Sequence, residues 1–196
     1  MKDFDENGTT DPILTYYRQG KRYTVAGLDE LAAQLPMLRK RFVEYRTFAS
    51  SSFDEVFTTE MRTGAVHKKA ENFESAYFEN SGNGEFKMKP LPLAAQTAPI
   101  HAFLPGDFDG DGKMDALAVG NFYENTPGIG RCDASQGWFL KGNGSGHFKS
   151  LPAAESGFVV AGQCRDVKLV TNGAGRQLIL VAINNGAVLV WRIMKE

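Results

Sequence analysis

Residues 107–115 read DFDGDGKMD and place Asp107, Asp109, Asp111 and Asp115 at positions 1, 3, 5 and 9 of one short stretch, with Gly112 at position 6. Carboxylates held this close repel one another strongly unless a cation lies between them. Alternate side chains turned inward around a sharp glycine turn are a means of wrapping a calcium ion in oxygen. The Lys113 carbonyl at position 7 completes the protein's share of that shell, with the Lys113 side chain pointing outward. The same spelling recurs as DFDENGTTD, with Asp3, Asp5, Asn7, Gly8 and Asp11 in the matching places and the Thr9 carbonyl at position 7. Two such stretches predict two calcium sites. An all-oxygen donor set favours a hard cation over zinc or copper, and its size exceeds what Mg²⁺ usually takes from protein. The expected role is structural, with affinity of about 10⁻⁴–10⁻³ M. The competing reading is a solvated acidic turn without metal. An EF-hand does not fit, because position 12 is Leu14 in one loop and Ala118 in the other, and both loops run into β-patterned segments.

The surrounding chain supplies elements to hold these loops. Pro12 to Tyr17 and Lys21 to Val25 are β-rich runs about Gln19-Gly20, which predicts a hairpin. Leu28, Leu31, Ala32 and Leu35 then mark one face of a helix. Pro36 is suited to start a second helix, whose buried side is read as Leu38, Phe42, Tyr45 and Ala49. Ser52 and Glu55 have capping-box spacing before a short third helix over Phe53 to Thr58. Extended patterning resumes near Val66 and runs through Phe78.

A second element also repeats. ENSGNGEFKMKPLP from Glu79 pairs with KGNGSGHFKSLP from Lys141, so that Gly82, Gly84, Phe86 and Pro92 match Gly144, Gly146, Phe148 and Pro152. The glycines turn a hairpin and each Phe is expected to return to the core. Asp11 and Asp115 lie 104 residues apart, Phe86 and Phe148 only 62. The excess is close to the helical stretch 27–66, so a unit of about 60 residues repeats and its first copy carries an insertion. A third copy begins near Arg165 with RDVKLV, QLILVAINNG and AVLVWRIM; its loop from Thr171 to Gln177 has lost the carboxylates.

Composition agrees with a soluble β-rich chain. Of 196 residues 42% are hydrophobic and 23% charged, and Gly (21) and Phe (14) are abundant, as short strands and tight turns require. The net charge of −1 creates no field for nucleic acid or an anionic membrane. The cluster Arg39, Lys40, Arg41 and Arg46 reads as a solvated helix face. No run is long and apolar enough for a membrane span, and the first residues hold no apolar signal core. An apolar run precedes the second Asp loop and none precedes the first, so the chain is expected to be the C-terminal part of something longer. Cys132 and Cys164 read as free thiols rather than a scaffold.

The Asp loops and Gly-rich turns resemble the FG-GAP or VCBS-type repeats of integrin-α-like β-propellers, spelled D-x-D-x-[DN]-G-x-x-D between the first two strands of a blade. The helical insert and the phrases SAYFENSGNGEF, PLPLAAQTAPI and GRCDASQG are similar to bacterial surface proteins of the ASPIC/UnbV-like type. The resemblance implies a mainly-β fold: a partial propeller of about three blades of antiparallel four-stranded sheets, in one domain, 1–196. The blades would be 1–92 (insert 27–66), 93–152 and 153–196, forming an open arc whose edges are a self-association hazard. It also implies an extracellular, cell-surface or periplasmic binding or adhesion module, with a protein or glycan ligand and structural Ca²⁺. The rival is the propeller portion of a carbohydrate-active enzyme. His67, His101 and His147 lie in different copies without a nucleophile motif, so no catalytic constellation is expected. Tyr16-Tyr17, Phe122-Tyr123, Trp138 and Trp191 read as packing residues, some of which could face a ligand.

Overall fold

Turn chemistry sets the first element. Gln19 and Gly20, at φ 50° and 77°, form the two-residue turn that matches strand twist. It joins β1 (Thr15–Arg18) to β2 (Lys21–Thr24), with Tyr16 opposite Tyr23. The computed structural model describes residues 1–193, which fall into two compact units, Met1–Glu71 and Asn72–Glu196. Among the described residues eleven strands make four small antiparallel sheets, none closed into a barrel, so the chain is mainly β as expected.

In the first unit five short helices follow the hairpin: α1 (Leu28–Gln34), α2 (Met37–Arg41), α3 (Tyr45–Ser50), α4 (Phe53–Val56) and α5 (Thr59–Arg62). Their apolar faces bury Leu28, Leu31, Leu35, Leu38, Phe42, Phe48, Phe53, Val56 and Phe57 in one core. The expected second helix is in fact two. The break after Phe42 resets the helical phase, so Phe48 turns inward while Tyr45 and Ala49, expected buried, are exposed. At α4 the Glu55 carboxylate accepts the Ser52 N–H at 2.6 Å, and that bond holds the carboxyl below its ordinary range. The basic cluster is employed structurally. Arg41 donates to the Val56 and Glu55 carbonyls at 2.8 and 2.7 Å, and Arg39 pairs with Asp29.

The second unit opens with a hairpin, β3 (Ala76–Gly82) and β4 (Glu85–Pro90). The extended patterning expected from Val66 therefore pairs only from Ala76 onward; residues 65–75 carry no strand. Next come β5 (Ile100–Gly106), β6 (Asp115–Gly120), β7 (Trp138–Gly142) and β8 (Phe148–Leu151), paired in chain order as one four-stranded antiparallel meander. A short helix α6 (Ala153–Ser156) leads to β9 (Cys164–Thr171), β10 (Gln177–Ile183) and β11 (Leu189–Arg192), which form a three-stranded sheet. Strand β6, DALAVG, is buried on both faces, which is why it lacks the alternation of a half-exposed strand. Leu117 and Val119 face one cluster with Phe139, Phe158, Val160, Cys164, Val167, Ile179 and Val181, joining the two sheets. Ala116 and Ala118 face another with Leu91, Ala95, Trp138 and Leu140. Two meanders stacked through a shared core are what neighbouring propeller blades present.

The repeat is visible in backbone angles. Gly82 and Gly84 have φ 89° and 79°, and their counterparts Gly144 and Gly146 have 80° and 75°. Pro92 and Pro152 both sit at the start of a single helical turn. The copies differ in what they bury. Phe148 packs on the Trp138–Leu140 cluster, whereas Phe86, expected in the core, is 61% exposed because the two-stranded β3–β4 sheet lacks a covering layer on that side. The first copy is also not a four-stranded sheet. Its Asp loop closes on an isolated bridge, Lys2 to Asp11, and among the described residues its two hairpins pair only with themselves. The residues of the expected first blade, 1–92, belong partly to each unit.

Trp138 is buried and Trp191 stacks on Phe158 with ring centroids 5.5 Å apart, whereas Tyr16 and Tyr17 lie exposed on their hairpin. Cys132 and Cys164 are both free, and burial pushes the Cys164 thiol up. The long β6–β7 connection is held by Asn121, a buried residue at φ 79°. Its amide donates to the Ser135 and Gly162 carbonyls at 2.8 and 2.9 Å and accepts the Ser135 N–H at 3.0 Å. Asn121→Ala leaves those groups unpaired, with an expected loss of about 2 kcal/mol in urea unfolding.

Candidate metal centres

Each acidic loop is tied by its own backbone before any ion is considered. In the second loop the Asp107 carboxylate accepts the Gly110 and Gly112 N–H groups at 2.8 and 3.0 Å. Asp109 accepts the Asp111 N–H at 3.1 Å, and Asp111 accepts the Lys113 N–H at 2.9 Å. Gly112, at φ 78°, makes the sharp turn that the spacing required. The first loop is wired in parallel. Asp3 accepts the Asn7 and Gly8 N–H groups at 3.1 and 2.8 Å, Asn7 accepts the Thr9 N–H at 2.8 Å, and Gly8 has φ 86°. Partial burial pushes the Asp3 carboxyl up, but the N–H groups of Gly8, Asn7 and Glu6 outweigh it and hold the group below its ordinary range.

The carboxylate at position 9 anchors each loop to its unit. Asp115 is fully buried at the start of β6, its two oxygens accepting the Phe108 N–H at 3.2 Å and the Gly142 N–H at 2.9 Å. Asp11 is 3% exposed and accepts the Phe4 N–H and the Gln34 side-chain amide, both at 2.8 Å. In both loops position 9 therefore receives the N–H of position 2, closing the turn across its base.

Three carboxylates converge in each. Asp107, Asp109 and Asp115 can each offer an oxygen such that all lie within 4.8 Å of one another, and so can Asp3, Asp5 and Asp11. These two sets are geometrically fit for a hard cation. Asp111 stands outside its trio and lies against two lysines, 3.1 Å from Lys141 Nζ and 3.8 Å from Lys113 Nζ. The Lys113 N–H, followed by Lys141, holds the Asp111 carboxyl below its usual range. Lys141 also pairs with Asp109, and Asp109 first and Asp111 second raise its ammonium above the ordinary lysine value. The Lys113 side chain is exposed, with its Nζ turned back toward Asp111 rather than away from the loop.

Three supporting residues escape a reading of the acidic spacing alone: Gln34, Lys141 and Gly142 lie 23, 32 and 27 residues from the aspartates they touch. The available signal for Gly142 is register, since pairing of Ala116 with Leu140 puts residue 142 beside the base of the loop. Neither loop leads into a helix: the second runs straight into β6, which excludes an EF-hand. The corresponding turn of the third copy, 172–176, is organised by Asn172, whose side chain accepts the Ala174 and Arg176 N–H groups at 3.0 and 2.9 Å. The histidines lie apart from the loops' carboxylates in hydrogen bonding: His101 faces Arg165 at 3.4 Å, and His147 donates its backbone N–H to Asn143 in an exposed turn.

Residues 101–140 match the family model for the FG-GAP repeat. The match spans β5, the 107–115 loop, β6 and the start of β7. No curated protein and no solved structure matches the chain.

Proposed function

We propose that this chain, which carries an FG-GAP repeat at 101–140, is a calcium-stabilised, non-catalytic binding segment of an extracellular or cell-surface protein. The observation that carries the reading is the convergence of three carboxylates in each of two separately placed loops wired by the same backbone pattern. Asp107, Asp109 and Asp115, with Asp111 and the Lys113 carbonyl, would hold one ion. Asp3, Asp5 and Asp11, with Asn7 and the Thr9 carbonyl, would hold the other. The ion supplies the charge that lets such carboxylates share one turn, and it pins the strand-to-strand connection at the loop's base.

The arrangement of Asp115 supports a structural rather than acid–base role. Asp115 is fully buried and each of its oxygens accepts one backbone N–H, which anchors the carboxylate away from a substrate while leaving lone pairs that a small cation could use. The extracellular assignment rests on chemistry: loops of this kind fill at calcium levels of about 10⁻⁴–10⁻³ M, which are available outside cells. A protein or glycan ligand is the partner class that a propeller surface suits.

Calorimetric unfolding of the full chain in calcium and in EDTA tests the reading. At a calcium concentration about 100 times Kd, each site contributes about 2.7 kcal/mol, which at about 2–8 °C per kcal/mol corresponds to a rise in Tm of about 5–20 °C. Superimposable transitions in the two buffers overturn it.

A further inference from the structure

The two acidic loops share their backbone wiring but not their counter-charges. In the first, the buried anchor Asp11 is met by a neutral amide, Gln34, and among the described residues no lysine or arginine lies in ion-pair range of Asp3, Asp5 or Asp11. In the second, Lys141 reaches across from β7 to Asp109 and, at 3.1 Å, to Asp111. Both converging trios sit at positions 1, 3 and 9 of their loops, so Lys141 lies on a member of the second trio, Asp109, and on the position-5 carboxylate beside it, Asp111. Lys141 is only partly exposed and extends from the residue next to Gly142, whose N–H holds Asp115. Its ammonium is thus delivered by the same strand that fixes the base of the loop.

We propose that Lys141 is a built-in competitor for the cation of the 107–115 loop: it neutralises Asp109 and Asp111 when the loop is empty and must give way when a divalent ion enters. This rests on the reading of the loop as a calcium site and adds its regulation. A unit positive charge a few ångströms from a doubly charged ion weakens ion binding even at the high effective dielectric of a protein surface. The tethered ammonium also stabilises the empty loop, since it relieves repulsion among the aspartates. Both effects lower the affinity of this site relative to the 3–11 loop and make calcium uptake there depend on ionic strength.

The test is isothermal titration with calcium chloride on the full chain carrying Asp3→Asn and Asp5→Asn, which silences the first loop and isolates the second. Lys141→Met, which keeps the aliphatic stem and removes the charge, is expected to tighten calcium binding about tenfold. The gain should shrink as salt rises from about 0.05 to 0.5 M. Lys141→Arg, which retains the charge, should stay within about threefold of the background protein. Equal or weaker binding by Lys141→Met overturns the competitor role while leaving the loop a calcium site. Absence of calcium binding in both the background and Lys141→Met overturns the underlying metal reading and the competitor role with it. Circular dichroism of each variant in EDTA establishes that the compared chains are folded.

Discussion

Asp115→Ala is expected to cost the second unit about 3–5 kcal/mol even in EDTA, because the loss does not depend on an ion. The carboxylate is fully buried, and its oxygens hold the Phe108 and Gly142 N–H groups. Alanine leaves the buried Gly142 N–H and the part-buried Phe108 N–H without their partner, and it opens a small void beside the central strand. Urea unfolding followed by tryptophan fluorescence measures the effect on the right part of the molecule, since both tryptophans, Trp138 and Trp191, lie in the second unit. The midpoint should fall while the slope stays constant. Asp115→Asn should lie between parent and alanine: its amide oxygen can accept one N–H, but its NH₂ group then faces the other donor. In calcium the deficit should widen for both variants, because a ligand is lost as well as an anchor. An Asp115→Ala midpoint within about 1 kcal/mol of the parent in EDTA would show that the buried carboxylate is not the anchor.

The legible part of this molecule is the part encoded over short distances. Position-6 glycines, alternate aspartates and the Gly82/Gly84 and Gly144/Gly146 pairs dictate turns within a few residues, and their φ angles follow. The Gln19-Gly20 hairpin and the Ser52–Glu55 helix start belong to the same class. Readings that depended on a distant covering layer fared less well. Phe86 and Phe148 occupy equivalent places after equivalent turns, yet only Phe148 has a packed sheet behind it. Tyr45 lost its expected place to Phe48 because a break at Val43-Glu44 shifted the helical phase, and nothing local in an apolar period reveals such a break. In the acidic loops the carboxylates that converge could be named from spacing, whereas Gln34, Lys141 and Gly142 could not. Whether a loop's anchor meets an amide or a lysine is decided by strand and helix placement far along the chain.

Gly142→Ala tests that long-range dependence with the smallest possible change. A Cβ at residue 142 would stand 1.9 Å from the Met114 carbonyl oxygen and 3.0 Å from its carbon, a clash with backbone that no rotamer relieves. Met114 immediately precedes Asp115, and the Gly142 N–H donates to Asp115, so the strands must part where the loop is anchored. The expected cost is about 3 kcal/mol or more, together with a weakening of calcium binding at 107–115 by at least about tenfold as the anchor shifts. Gly120→Ala provides the matched control, since its Cβ would meet the Pro99 carbonyl oxygen at 1.8 Å at the far end of the same strand β6. Comparable destabilisation is expected there, but calcium affinity measured well below the unfolding midpoint should hold. If the two alanines lower affinity alike, the metal loop responds to the general loosening of the sheet. If only Gly142→Ala does, the close approach of β7 to the base of the loop is what sets the geometry of the site.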